Sequence, residues 1–317
     1  MNSQLTPSAQ LKQLLDTLHQ KEITILAHDN IDIDAAISGI LLSRFLDFLK
    51  IKNTFKILEP VKKNETYSVI KELIGINLKE YEVKPENESE IANLFLVDHY
   101  KTSHLGNVVG YIDHHLTSQV IDVDFSYVKN SSATAYLIYE LMQEAKYPIT
   151  KQDILMIVTA MMADTVCFKS TKALPEEIEI AKQLCTNFNL DWNLIESYAL
   201  CPTPIDKMSL DEIITNGAKQ YNFSGSKVTS AYVQISKLPD ASTINIWLQR
   251  LVFNLSAHNI KMCVFLIFDL ANNKTYEYQI TEECIAETVH DKIVSRGKDI
   301  MPKIEKLFLN ARYSLDF

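Results

Sequence analysis

The chain has 317 residues, 47% hydrophobic and 22% charged, and 31 Lys+Arg against 40 Asp+Glu give a formal net charge of -9. That length suffices for two domains, each with a core of its own. An acidic chain is a poor non-specific binder of nucleic acid, whose phosphates are held by Lys and Arg, and only seven glycines exclude a Gly-rich phosphate cradle of the P-loop or dinucleotide type.

The opening MNSQLTPSAQ lacks the charged-then-apolar pattern of a secretory signal. ITILA (Ile23 to Ala27) reads as a buried strand. A helix follows over 35–50, with Ile37, Leu41, Phe45 and Phe48 or Leu49 on one stripe. LFLVD (Leu94 to Asp98) and VVGYID (Val108 to Asp113) are two more short apolar runs, as strands covered on both faces would be. Further helices are predicted over 133–145 and 151–166. The longest apolar run, ILMIVTAMMA (Ile154 to Ala163), is about half of what a membrane span needs. Strands alternating with helices predict a mainly parallel α/β sheet.

CPTPIDKMS (Cys201 to Ser209) has two prolines and no periodicity, and reads as a linker. Beyond it, KVTSAYVQI (227–235), KMCVFLIFDL (261–270) and TYEYQI (275–280) are predicted strands of a second, smaller α/β or α+β domain. The expected domains are therefore 1–202 and 203–317. The five cysteines, Cys167, Cys185, Cys201, Cys263 and Cys284, have no thiolate zinc spacing and suggest reduced thiols. A soluble, cytoplasmic protein is the expectation.

The strand ends carry the chemistry. His28, Asp32 and Asp34 follow the pattern H-x-x-x-D-x-D after the first strand; Asp98 and His99 end the second; Asp113, His114 and His115 end the third; and Asp164 falls in a strongly apolar helix. Singly, Asp34 reads as a helix N-cap and His99 as a surface residue. Together they crowd carboxylates at the end of a sheet where ligands bind. Clustered carboxylates repel, and desolvating one alone costs several kcal/mol. A pair of divalent cations relieves both penalties. Carboxylate and imidazole without thiolate suit Mn²⁺, Mg²⁺, Co²⁺ or Zn²⁺.

HDNIDIDAAISG, VDHY, IDHH and MADTVCFKST resemble the four motifs of the DHH phosphoesterase superfamily. ADTVCFKST is most similar to the S-D-T-x-x-F-K-S-P-T stretch of family II, manganese-dependent inorganic pyrophosphatases, and NSSATAYLIYEL (Asn130 to Leu141) resembles their Thr-containing helix start. SRGKDIMP (Ser295 to Pro302) and NGAKQYNF (Asn216 to Phe223) resemble the S-R-K-K-Q and D-x-K-x-F elements of the DHH-associated C-terminal domain. There are departures: Ile31 stands where the first motif has Pro, and Gly297 and Asp299 where the last has Lys and Gln.

The resemblance implies a catalytic N-terminal domain, a substrate-binding C-terminal domain and an active site in the cleft between them. His28 and Asp32 would bind one metal and Asp34 the other, with Asp98 bridging and His114 and Asp164 completing the sites. His115 would face the substrate phosphate and Asp113 would orient the imidazoles. Lys219, Arg296 and Lys298 would grip the phosphates, with 201–209 as the hinge of a closing motion. The implied activity is hydrolysis of pyrophosphate with two divalent cations, Mn²⁺ first, Co²⁺ or Mg²⁺ next. Exopolyphosphatase activity is the alternative, kept open by Gly297 and Asp299. A phosphodiesterase ranks lower for want of a glycine cluster, and a non-catalytic phosphate-binding relative ranks lower because all six ligands are present. The implied partners are a small anionic substrate and a second copy of the chain, joined near Val120 to Val128. Neither membrane nor nucleic acid is expected.

Overall fold

A computed structural model of the chain describes residues 5–18, 22–58, 64–83, 93–100, 107–115 and 122–313. The chain forms two compact units, one of Met1–Phe168 with Ala173–Leu200, the other of Lys169–Lys172 with Cys201–Phe317. The division falls after Leu200 rather than after residue 202, and a four-residue stretch of the first part belongs to the second unit. CPTPIDKMS is not a bare linker. Thr203 exchanges two hydrogen bonds with Gln234, its N–H donating to the carbonyl (2.7 Å) and its Oγ1 accepting from the amide (3.0 Å). Ile205–Lys207 then winds as a 3-10 turn.

The first unit holds β1 (Ile23–Ala27), β2 (Asn53–Lys56), β3 (Asn93–Val97), β4 (Asn107–Asp113) and β5 (Phe125–Val128). Its helices are α1 (Pro7–Thr17), α2 (Ile33–Phe48), α3 (Asn64–Ser68) running into a π-helical turn (Val69–Ile74), α4 (Thr134–Glu144), α5 (Lys151–Asp164), α6 (Pro175–Asn187) and α7 (Trp192–Ala199). The strands are parallel, in the order β2-β1-β3-β4-β5. Each strand read from an apolar run appears within a residue or two of its expected bounds. β1 and β3 are buried almost throughout, which is why they show no alternation. Of the strand expected near Val120 to Val128, residues 120–121 lie outside the described residues; β5 occupies only Phe125–Val128 and pairs with β4.

Helix α2 departs from the single-stripe expectation. It is buried at nearly every position from Ile33 to Leu42, lying against β1 and β2 with α4 and α5 on its other sides. Gly39 permits the approach, since a Cβ there would lie 2.3 Å from the Phe55 ring. α5 begins with a reciprocal capping box of Thr150 and Asp153. Arg44 on α2 donates to the buried Asp153 carboxylate at 2.7 Å, which fixes the start of α5 against α2.

The second unit contains α8 (Leu210–Ile214), β6 (Lys219–Phe223), β7 (Ser226–Ile235), α9 (Ala241–His258), β8 (Met262–Asp269), β9 (Lys274–Ile280), β10 (Ile285–His290) and α10 (Met301–Tyr313). The sheet order is β10-β9-β8-β7-β6. β7 and β8 are parallel, joined through α9, and the other neighbours are antiparallel. Val233, Trp247, Leu251, Phe265 and Ile267 form the centre of its core. It is a mixed α/β domain of its own. Within it, Ser170 bridges to Ile293 and Thr171 N donates to the Ile293 carbonyl at 3.0 Å.

Candidate metal centre

In the first sheet β2 lies on one side of β1 and β3 on the other. The strand order therefore reverses at β1/β3, and open α/β sheets take ligands outside the carboxyl ends of their strands at such a switch point. His28 follows β1 there, and Asp98 follows β3. Asp113 ends β4, leading into His114 and His115. Asp32 is the N-cap of α2, its carboxylate accepting from Ala35 N at 3.1 Å, with Asp34 in the first turn. Asp164 closes α5. The cap expected of Asp34 thus falls to Asp32. Asp34 instead receives the N-terminus of a different helix: Oδ2 accepts from Thr134 N (2.7 Å), and Oδ1 from Ala135 N (3.0 Å) and Ser38 Oγ (3.2 Å).

These side chains converge. Three triads have ligand atoms within 4.8 Å of one another: His28, Asp32 and Asp98; Asp34, His114 and Asp164; and Asp98, His114 and His115. Asp98 turns one oxygen to each side, Oδ2 lying 3.4 Å from His28 Nε2 and Oδ1 3.5 Å from His114 Nε2. His28 Nε2 is also 3.6 Å from Asp32 Oδ2, and His114 Nε2 is 3.3 Å from Asp164 Oδ2. Asp164 is half-buried at the end of its helix rather than sunk in it. His115 differs from the rest. Its Nδ1 and its backbone N both bond Asp113 Oδ1, at 2.8 and 2.9 Å. That nitrogen is therefore engaged by Asp113 although it also lies 3.6 Å from Asp98 Oδ1, and the side chain, 41% exposed, is the most open of the cluster's histidines.

The electrostatics show the strain of this assembly. Burial, with Asp98 and Asp164 nearby, pushes Asp34 well above the usual carboxylate range. Burial works against the charge of Asp98 as well, but His28, His115 and His114 outweigh it and hold its carboxyl well below that range. Burial alone would lower His28, yet Asp32 and Asp98 push it up to about 10. Cations seated among these groups would relieve the same burial and repulsion. The donor set, imidazole and carboxylate on two triads with Asp98 facing both, fits two divalent ions of the Mn²⁺, Mg²⁺ or Co²⁺ kind.

Residues that the sequence left unmarked support the cluster. Thr134 Oγ1 donates to Asp98 Oδ1 at 2.9 Å and accepts from His114 N at 3.3 Å. The Ser131 carbonyl receives His114 Nδ1 at 3.0 Å. The one signal for them was the Thr-containing helix start in NSSATAYLIYEL. His99 is not the surface residue expected of it. It is half-buried, with Nδ1 3.0 Å from the Val97 carbonyl and its ring edge-on to His28 at 6.3 Å.

The expected phosphate-gripping cations all lie in the second unit. Lys219 opens β6 and is exposed. Arg296 donates to the Gly217 carbonyl and lies over the Tyr232 ring, 5.1 Å from its centroid. Lys298 N donates to Ser295 Oγ at 3.2 Å. Asp299 accepts from Ser295 N at 2.7 Å and from the Thr171 hydroxyl.

Comparison with known proteins agrees with this layout. The DHH family, N-terminal domain, matches residues 22–167. The manganese-dependent inorganic pyrophosphatase of Methanocaldococcus jannaschii is 24% identical, covering 90% of this chain and 98% of that protein. The manganese-dependent inorganic pyrophosphatase of Bacillus subtilis is 23% identical, covering 89% and 97%. A crystal structure from Methanococcus jannaschii, assigned to the family II inorganic pyrophosphatases, superposes with a TM-score of 0.71 at 21% identity, over 90% of this chain and 99% of that one. The match over 22–167 spans the parallel sheet and every group of the three triads, so the part of the chain that holds the candidate centre is the part similar to the DHH family, N-terminal domain.

Proposed function

We propose that the chain hydrolyses a phosphoanhydride with the help of two divalent cations, and that its substrate is inorganic pyrophosphate. The observation that carries this is Asp98, whose two carboxylate oxygens face His28 on one side and His114 on the other. His28 and Asp32 would hold one ion, Asp34, His114 and Asp164 the other, and Asp98 both. Manganese is the ion in the names of the similar proteins and the one to supply first. Such a pair of ions lowers the pKa of a water and neutralises charge on phosphate oxygens.

The protein's own groups do the rest. Asp113 holds His115 by Nδ1, leaving Nε2 for the phosphate, to which it donates when the ring is doubly protonated. Thr134 keeps Asp98 in place while serving the His114 backbone. Arg296, with its planar fork, and Lys219 and Lys298 are the second unit's candidate phosphate ligands. Cytoplasmic residence and a homodimer belong to the same reading; light scattering on the purified protein tests the dimer. Among the described residues no helix is long and apolar enough to cross a membrane.

A second reading, removal of terminal phosphate from a longer polyphosphate, is favoured by Gly297. A Cβ there would meet nothing within 4 Å, so the space a lysine would start from stands open. Phosphate release from pyrophosphate and tripolyphosphate, with Mn²⁺ added to chelator-stripped protein, separates the two. Faster turnover of pyrophosphate is the expected result, and Asp34→Asn or His114→Ala should abolish it. No release from either substrate, or full activity in either variant, would overturn the assignment.

A further inference from the structure

We propose that Glu177, on α6, is a positioning residue for the metal centre and acts on His114 through a single peptide group. The inference rests on the reading of His114 as a metal ligand. The peptide joining Ser131 to Ser132 is engaged at both ends. Its carbonyl oxygen receives His114 Nδ1 at 3.0 Å, and its N–H donates to Glu177 Oε2 at 2.7 Å. Ser131, Ser132 and His114 are wholly buried, and Glu177 is 3% exposed. A metal-ligating imidazole usually gives its other N–H to a carboxylate or a carbonyl, which sets tautomer and ring orientation. Here a carbonyl takes the proton and a carboxylate stands directly behind it.

The order of these groups matters. The Glu177 charge draws on the Ser132 amide proton, which raises electron density on the Ser131 carbonyl and strengthens its hold on Nδ1–H. The lone pair of the ring then rests on Nε2, the atom facing Asp98 and Asp164. The loop has little freedom to turn away, because Ser131 Oγ donates to the Ala133 carbonyl at 3.2 Å and Thr134 N donates to Asp34. A neutral acceptor would satisfy a buried amide equally well. A buried carboxylate carries a desolvation cost of several kcal/mol, and a purely structural cap gives no reason to bear it.

The test compares wild-type protein, Glu177→Gln, Glu177→Leu and His114→Ala, all stripped of metal. Mn²⁺ affinity is measured by isothermal titration calorimetry, and folding by thermal melts without metal. Glu177→Gln keeps an acceptor for Ser132 N, so its melt should stay near wild type while Mn²⁺ affinity drops roughly tenfold, as loss of an outer partner of a ligand does. Glu177→Leu should bind more weakly still; should it fail to fold, Glu177→Gln decides alone. Wild-type affinity in Glu177→Gln, beside weakened binding in His114→Ala, would overturn the relay and leave the metal centre standing. No Mn²⁺ binding by wild type, or equal binding by wild type and His114→Ala, would overturn both.

Discussion

Thr134→Val gives the sharpest test of how the centre is built. Valine matches threonine in shape, so no cavity opens at this fully buried position. Two bonds are lost. The Oγ1–H···Asp98 bond, at 2.9 Å, goes to a carboxylate held in its charged form, and such bonds contribute about 1.5–3 kcal/mol. The His114 N–H, bonded to Oγ1 at 3.3 Å, loses that acceptor; since the bond is long, the low end of the usual penalty applies, about 1 kcal/mol. The sum is about 3 kcal/mol, which in a domain of this size corresponds to a Tm drop of about 6–12 °C. Thr134→Ser keeps both bonds and loses one methyl, so its loss should be about 1 kcal/mol. The chain has two tryptophans, Trp192 on α7 of the first unit and Trp247 on α9 of the second. Trp192 fluorescence in a Trp247→Phe background therefore reports unfolding of the unit that carries Thr134, measured with metal chelated. A Thr134→Val melt within a degree or two of wild type would refute the bonding argument. A loss in the serine variant with none in the valine variant would show that the methyl, not the hydroxyl, is what stabilises.

Gly39→Ala should lower the Tm of the first unit: the helix gains about 1 kcal/mol of propensity, but a Cβ placed 2.3 Å from the buried Phe55 ring brings overpacking of about 1–3 kcal/mol. A raised Tm would contradict the close approach of α2 to β2. Gly297→Lys should be accepted without strain and should raise kcat/KM for pyrophosphate relative to tripolyphosphate, by roughly tenfold for one new charged hydrogen bond; an unchanged ratio would separate Gly297 from substrate choice. The stability that Asp32 and Asp98 lend to protonated His28 is complete below its unfolded value of about 6.5 and is lost as pH rises toward its folded value of about 10. Metal-free wild type should therefore lose stability across that window in urea titrations, and His28→Gln should lose less; parallel curves would refute the pairing.

What the sequence reveals, and what it hides, follows from where each structural cause lies. β1, β3 and β4 are apolar runs because both sheet faces are covered, and the polar groups that end them stand out against that background. β2 and β5 have four residues and one fully buried position each, too short to show a pattern. The early entry of Lys169–Lys172 into the second unit is preceded by three consecutive residues with left-handed backbone, Val166, Cys167 and Phe168, at φ of 54°, 52° and 60°. None is a residue that favours that conformation. The turn is held by tertiary means, with Thr165 Oγ1 accepting from Phe168 N at 2.9 Å and Phe168 stacking on Trp192. The centre divides in the same way. Its ligand atoms are legible as spaced Asp and His, while their supports join residues as far apart as Asp34 and Ala135 and leave no local trace. The departures in SRGKD divide too. Asp299 has a local explanation, because it closes its own turn onto Ser295 N and ties it to Thr171. Gly297 has none: its φ is not among the positive values and nothing crowds its Cβ position. Neither backbone nor packing calls for glycine there, so the Gly297→Lys variant can read the effect of the missing side chain on substrate choice without a folding penalty.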